Sequence, residues 1–370
     1  MDLVDVKRFL ARSAPRCNVR VGAHSGHVLQ IYAGLYMLHA EGCIVLRQRF
    51  DDAECRAQPH GVLVEVEGAG RVYFDVHDGA NYRPEVLARS VLYAKRAYRS
   101  SVHRAAGERL VPLGLNYAVY TDHAGALELA RALKLLEPTR EGAKRLAATL
   151  VRVVPGLGGA LGLPTVGALS DPPPEREPAQ AIFLARTWDP NEVPPLPEAA
   201  VRDMNDLRAN CIRLLRARLG ERFLGGFERS GYALEHYRDC VVDAGLSTRR
   251  RDYLRRVRDY AVCVATNGLW DSIGWKFAEY MALGKAIVCE PMKFEVPGGL
   301  AAGRNFLEFT TPEDCAARVA GLLECREVRR RMGQSNAAYF REFASPEAVV
   351  GRVLFAALSA STRRAGLLAA

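Results

Sequence analysis

The nine cysteines of this 370-residue chain form no CxxC pair and no other metal-ligand spacing. That usage argues against a disulfide framework or a zinc module and reads as reduced, mostly buried thiols; Cys263 and Cys289 both lie in apolar runs. No metal site is expected. No apolar run approaches the roughly 20 residues that span a bilayer. The opening MDLVDVKRFLARSAPR is too acidic for a secretory signal and its apolar part too short, so the expectation is a cytoplasmic protein. Zinc-finger, RNP and helix-turn-helix signatures are missing as well, and nucleic acid is not an expected partner. No repeat of solenoid period occurs.

What is present is a globular composition with an excess of arginine. Hydrophobic residues make up 49% and charged residues 25%, and the formal charge is +9. Such a balance favours acidic partners: phosphorylated ligands or the anionic inner face of a membrane, where peripheral contact is one expectation. The densest basic run, STRRRDYLRRVRDY (247–260), spaces its apolar residues as a solvated amphipathic helix.

The length suits two domains, and strand–helix alternation in both halves predicts α/β architecture with mainly parallel sheets. In the first half, NVRVGAH (18–24) reads as a strand, residues 27–42 as a helix and CIVLRQRF (43–50) as a strand. GVLVEVEGAGRVYFDVHDG (61–79) reads as a hairpin, residues 84–102 as one helix opened by Pro84, and 108–121 as a strand followed by a loop. Two helical stretches occupy 124–153. The breaker-rich 155–178 is the expected linker, which bounds an N-terminal domain of 1–175. A second domain over 179–345 then opens on the strand QAIFLARTWDP (180–190) and the helix 198–220. After the arginine-rich helix it continues with the strand YAVCVATNG (260–268), a helix over 273–284 and a strand over 285–290. A helix opened by Thr311 follows. The last helix, begun by Ser345 and Pro346, is expected to cross back to the first domain over 346–370.

Chemistry concentrates in GLWDSIGWKFAEYMALGKAIVCEP (268–291). In open α/β sheets ligands sit outside the carboxyl ends of strands, and a helix N-terminus favours anions. Gly268 and the turn Ser272-Ile273-Gly274 allow close backbone approach to a diphosphate. Asp271 lies at the loop mouth. Glu279 falls on a helix flanked by Phe277, Ala278, Tyr280 and Met281, where an unpaired carboxylate is costly, so it needs a partner. Two acids eight positions apart therefore suit a sugar nucleotide. One faces the sugar, and the other takes the vicinal hydroxyls of the ribose.

This stretch resembles the donor-site motif of retaining GT-B glycosyltransferases of the glycogen-synthase-like group, with Asp271, Glu279 and EYMALGKAIV in the matching places. VPGGLAAGRNFLEFTTPEDCAARVAGLL resembles the family's closing segment, and the likeness spans about residues 180–350. The resemblance implies two Rossmann-like domains facing each other across a cleft. It also implies transfer of a sugar from a nucleotide-diphosphate donor with retention, without metal or other cofactor. Glu279 would hold the donor ribose and Asp271 face the transferred sugar. The departures are Asp in place of the commoner first Glu, Lys285 where many relatives have Pro, and no cleanly placed Arg and Lys for the diphosphate. Arg186, with a surface ion pair as its competing reading, and Lys276 are the candidates for that role.

The first half would then bind the acceptor, a glycan, lipid-linked or small molecule. GAHSGH (22–27) offers His24, Gly26 and His27. VYFDVHDGANYR (72–83) places Asp75, His77 and Asp78 at a strand end. His77 is the catalytic candidate by the resemblance, and Asp78-Gly79 reads equally as an Asx-type turn. Lys95 and Arg96 read first as a solvated helix face and second as contacts for an anionic acceptor. Two further readings remain open on the sequence: a sugar-nucleotide epimerase of the same fold, and a non-catalytic sugar-nucleotide-binding protein.

Overall fold

The computed structural model describes residues 1–22, 25–50, 60–121, 125–134, 136, 139–153, 165–170, 179–193 and 196–369. The chain divides into two compact units. Unit 1 comprises Met1–Ser170, Phe294–Gly299 and Phe340–Ala370; unit 2 comprises Asp171–Lys293 and Leu300–Tyr339. Apart from 165–170, the stretch expected as linker lies outside the described residues.

Unit 1 holds a six-stranded sheet in the order β2-β1-β3-β4-β5-β6. Its strands are β1 (Arg16–Arg20), β2 (Val45–Arg49), β3 (Gly61–Val66), β4 (Gly70–Asp75), β5 (Leu92–Lys95) and β6 (Leu110–Pro112). The expected hairpin is β3–β4, and β3 is antiparallel to both its neighbours, whereas β1–β2, β4–β5 and β5–β6 are parallel. The helix Leu29–Ala40 is apolar all round and buried from Gln30 to Leu38, as befits a helix covered on both sides. It packs on the helix Pro346–Ala369, and Val349, Val350, Val353 and Leu354 of the latter complete the core over the sheet. Gly34 makes that approach possible. A Cβ there would lie 2.2 Å from the Pro346 carbonyl oxygen.

The single helix expected over 84–102 is not formed. A five-residue helix, Pro84–Ala88, gives way to β5, and a short helix Ser100–His103 follows. Leu92, Tyr93, Ala94 and Lys95 are four consecutive buried residues, and pairing between β4 and β6 overrides their helical propensity. The helix Arg326–Tyr339 is also absent from the sequence expectation. It is arginine-rich and buries only a narrow stripe of Met332, Gly333, Asn336 and Tyr339.

Unit 2 carries a fully parallel sheet in the order β11-β10-β9-β7-β8. The strands are β7 (Ala181–Ala185), β8 (Phe223–Phe227), β9 (Val262–Ala265), β10 (Ala286–Cys289) and β11 (Leu307–Glu308). AIFLA, VCVA and AIVC are buried at every position, the signature of parallel strands covered on both faces. From β7 the chain goes to β8 on one side and then to β9 on the other. The strand order therefore reverses between β7 and β9, which is where open α/β sheets open a crevice.

Candidate functional site

The carboxyl ends of β7 and β9 continue into the segments Arg186–Trp188 and Thr266–Trp270. Arg208 braces both. It lies on the buried stripe of the helix Glu198–Leu219 and is 5% exposed. It donates from Nε to Thr266 Oγ1 (3.0 Å), from Nη1 to the Arg186 carbonyl (2.9 Å) and from Nη2 to the Asn267 carbonyl (2.7 Å). A guanidinium's planar fork suits three acceptors held at fixed positions. Burial lowers its pKa to about 10, with Glu290 opposing, so it stays charged at neutral pH. The Asn267 N–H in turn donates to Glu290 Oε2 (2.7 Å), which ties the end of β9 to the residue after β10.

The loop after β9 closes tightly. Gly268 N–H donates to the Ser272 carbonyl (2.7 Å), and a Cβ on Gly268 would lie 2.6 Å from Ser272 Oγ. Trp270 and Asp271 follow each other in the left-handed region, with φ of 56° and 60°. Among the described residues only Ala14 shares that conformation without being glycine. Two such residues in succession are strained and persist only where the surroundings fix them, and strain of this kind gathers at functional sites. Leu269, buried with Val193 and Val201, and the partly buried Trp188 and Trp270 supply that fixation. Asp271 is exposed at the loop mouth. Glu290 is its electrostatic neighbour: burial raises the Glu290 pKa, and Asp271 adds to the rise.

Ser272 is buried, and Ile273 and Gly274 half-buried, at the entrance to the helix Trp275–Ala282. Gly274 is its N-cap and brings no side chain to the first turn. Lys276 is half-buried. Its Nζ donates to the Leu184 carbonyl at the end of β7 and lies 4.8 Å from the Tyr253 ring centroid. Burial pushes its ammonium down to about 8, with Glu279 opposing. Arg186 is exposed and stacks over Trp188, 3.4 Å from the ring centroid, so the cation rests on an aromatic face.

Glu279 is 2% exposed, and the partner that its burial demands is Arg250. Oε1 accepts from Arg250 Nε at 3.0 Å and from Nη2 at 2.5 Å. The fork comes from the arginine-rich run, which forms the helix Arg250–Val257 as expected and packs through Tyr253, Leu254 and Val257. Lys285, one of the departures from the family pattern, is buried and donates from Nζ to the Arg258 carbonyl (2.9 Å).

In unit 1 the acceptor-side candidates also meet. His24 lies outside the described residues. Gly26 opens the turn Gly26–Val28, and Ser25 Oγ accepts from His27 N–H (3.2 Å). Asp75 ends β4, with Oδ1 accepting from His77 N–H (2.9 Å) and Oδ2 accepting from Tyr93 OH (2.5 Å). Lys95 and Arg96 do not form a solvated helix face. Lys95 ends β5 and Arg96 follows it; they are 0% and 6% exposed, because Asp75 and Asp78 supply the countercharges that make such burial tolerable. The Asx-type reading of Asp78-Gly79 is not what forms: Gly79 N–H donates to His77 Nδ1 (3.0 Å), while Asp78 pairs with Arg96.

His77 is exposed and belongs to a row of three imidazoles. The His27 and His60 centroids are 5.2 Å apart, and those of His60 and His77 5.5 Å. Burial pushes His27 down to about 4, Arg96 and its imidazole neighbours add to the shift, and Asp78 opposes it. Burial lowers His60 too. A folded pKa below the unfolded value means the unfolded chain takes the proton first. The stabilisation is therefore complete above about pH 6.5 and is lost as pH falls toward about 4. After discounting for partial exposure, we expect about 1–2 kcal/mol of acid destabilisation from His27, a few degrees in Tm. Thermal unfolding of wild type and His27→Gln between pH 7 and 4 measures it, and parallel Tm curves for the two proteins would contradict it.

Arg208, Arg250, Glu290 and His60 are absent from the residues singled out by sequence. For Arg208 a signal exists: with Asn205 it shares a stripe at helical spacing with Val201, Ile212, Leu215 and Leu219. The other three are marked only by their partners in space.

No family model matches the chain, and no curated protein matches it. Solved structures that resemble it include the C-terminal domain of a glycosyl transferase group 1 family protein from Francisella tularensis. That pair has 11% identity and a TM-score of 0.33, over 47% of this chain and 95% of that one. TarM from S. aureus, with UDP and α-GlcNAc-glycerol bound, has 14% identity and a TM-score of 0.34, over 49% of this chain and 36% of that one. HepE from Anabaena, in complex with UDP and glucose, has 10% identity and a TM-score of 0.39, over 100% of this chain and 81% of that one. Likeness at that level assigns no activity to this chain.

Proposed function

We propose that the chain is a GT-B glycosyltransferase that moves a sugar from a nucleotide-diphosphate donor to an acceptor with retention. What supports this reading is placement in unit 2: Arg186 follows β7, Lys276 reaches the Leu184 carbonyl near the end of that strand, and Asp271 and Glu279 lie on the loop and helix that follow β9. Lys276, Arg186 and the open start of the helix Trp275–Ala282 would meet the diphosphate charge. Glu279 would take the ribose hydroxyls and Asp271 would face the sugar. In the transfer, the bond between the sugar's anomeric carbon and the diphosphate breaks and a bond to the acceptor oxygen forms. The acceptor's proton ends on the departing diphosphate or in water. The cations and the helix end stabilise the charge that develops on the leaving group, and the chemistry needs no metal for that. In unit 1, His77 is the residue proposed for a catalytic role, beside Asp75, Asp78 and His27 as acceptor contacts. A glycan or lipid-linked acceptor is in keeping with the composition, as is peripheral attachment of a basic cytoplasmic protein to an anionic membrane.

The neighbouring carboxylates Asp271 and Glu290 favour one alternative, a sugar-nucleotide epimerase, in which Glu290, whose pKa burial raises, would serve in acid–base chemistry. One experiment separates the readings. The intact protein is screened by thermal shift against UDP-, GDP- and ADP-sugars, and the binding donor is then incubated with and without glycan or glycolipid fractions. Transfer predicts a raised Tm with one donor, since binding stabilises only the folded state, and nucleoside diphosphate released chiefly when acceptor is present. Conversion of the donor without release supports the epimerase, and no shift with any donor removes both readings.

A further inference from the structure

We propose that Arg250 is the positioning residue of the nucleotide site, holding the Glu279 carboxylate in one orientation so that it is preset for a vicinal diol. The inference rests on the ribose reading of Glu279. An ionised carboxylate offers about four acceptor positions over its two oxygens. Arg250 fills two of them, both on Oε1, through Nε and Nη2. Two positions remain, the number that the 2′ and 3′ hydroxyls of a ribose donate into.

Arg250 is held in place by its own helix. It opens the helix Arg250–Val257, which Tyr253, Leu254 and Val257 anchor in the core of unit 2. Asp252 does not draw Arg250 away, because it is engaged by Ser247 (2.6 Å), Arg251 (3.5 Å) and Arg255 (2.5 Å). Arg256 donates to the Ser247 carbonyl (3.0 Å). The Arg250 guanidinium carbon lies 5.6 Å from the Trp275 ring centroid, so the fork is flanked by an aromatic of the same helix that carries Glu279. Without the fork, nothing holds the Oε1 side of the carboxylate, and a turn to another rotamer removes acceptor positions from the diol.

The test compares UDP, GDP and ADP with their 2′,3′-dideoxy forms by calorimetric titration into the full chain. For the nucleotide that binds, wild type should prefer the ribose form by about 30-fold, from hydrogen bonds to a charged acceptor. In Arg250→Met that preference should fall to about threefold, with Arg250→Lys between the two because a single ammonium replaces one arm of the fork. A merely structural role for Arg250 would weaken both forms equally and leave the ratio intact. Circular dichroism checks that each variant is folded, and Arg250→Gln replaces any that is not. Wild-type discrimination that persists undiminished in the variants overturns the inference while the ribose reading stands. Absence of discrimination in wild type overturns the ribose reading and the inference with it.

Discussion

Arg208→Met destabilises unit 2 by about 3–5 kcal/mol, a drop of roughly 10 °C in its unfolding transition measured by calorimetry. The size follows from what is left behind. Three hydrogen bonds vanish at once, and the Thr266 hydroxyl and the carbonyls of Arg186 and Asn267 lose the donor that joins them. These acceptors are part-buried, so each lost bond costs about 1–1.5 kcal/mol, the lower end of the range for an unmet polar group. Methionine restores some packing volume, so the loss reports polar satisfaction more than a cavity. Arg208→Lys should recover little, because one ammonium cannot reach three acceptors that diverge from a planar fork. Nucleotide binding should fail in both variants, since the segments after β7 and β9 would no longer be held together. A change below about 1 kcal/mol would show that these segments are fixed by something other than Arg208.

How far the site could be read in advance depends on whether its parts are contiguous in the chain. Asp271, Ser272, Gly274, Lys276 and Glu279 occupy one loop and one short helix, so spacing alone places them at a strand's carboxyl end, and β9 and the helix Trp275–Ala282 form there. Glu279 shows the limit. Its burial and its need for a partner follow from its apolar neighbours, but the choice of Arg250 among many arginines belongs to tertiary packing. Glu290 and Arg208 meet the loop only through the folded sheet. In unit 1, Lys95 and Arg96 look like a solvated pair because their charges suggest water. Strand pairing of the buried run before them, and the countercharges of Asp75 and Asp78, decide otherwise. The helix Arg326–Tyr339 escaped for a related reason. Its buried stripe includes Gly333 and Asn336, residues that carry little hydrophobic signal.

The second large effect is at Lys276. Its ammonium spans from the helix Trp275–Ala282 to the Leu184 carbonyl, at the point where a diphosphate would lie against the helix start. A charged hydrogen bond to phosphate contributes about 1.5–3 kcal/mol, so Lys276→Met should weaken nucleoside diphosphate binding about 10- to 100-fold. Losing a half-buried ammonium that is held at about 8 by desolvation should leave the fold intact. The same value sets a pH dependence. A bound diphosphate favours the charged amine and raises its pKa, so complex formation takes up a proton above about pH 8, and affinity falls as pH rises through that range.

Calorimetric titration of UDP, GDP and ADP into wild type and Lys276→Met, at pH 7 and pH 9, probes the assignment of unit 2 as a nucleotide-sugar site most directly. The expected result is binding of at least one nucleoside diphosphate to wild type, weaker at pH 9, with the 10- to 100-fold loss in the variant at pH 7. Wild-type protein that binds none of the three, or a variant that binds as tightly as wild type, would contradict it.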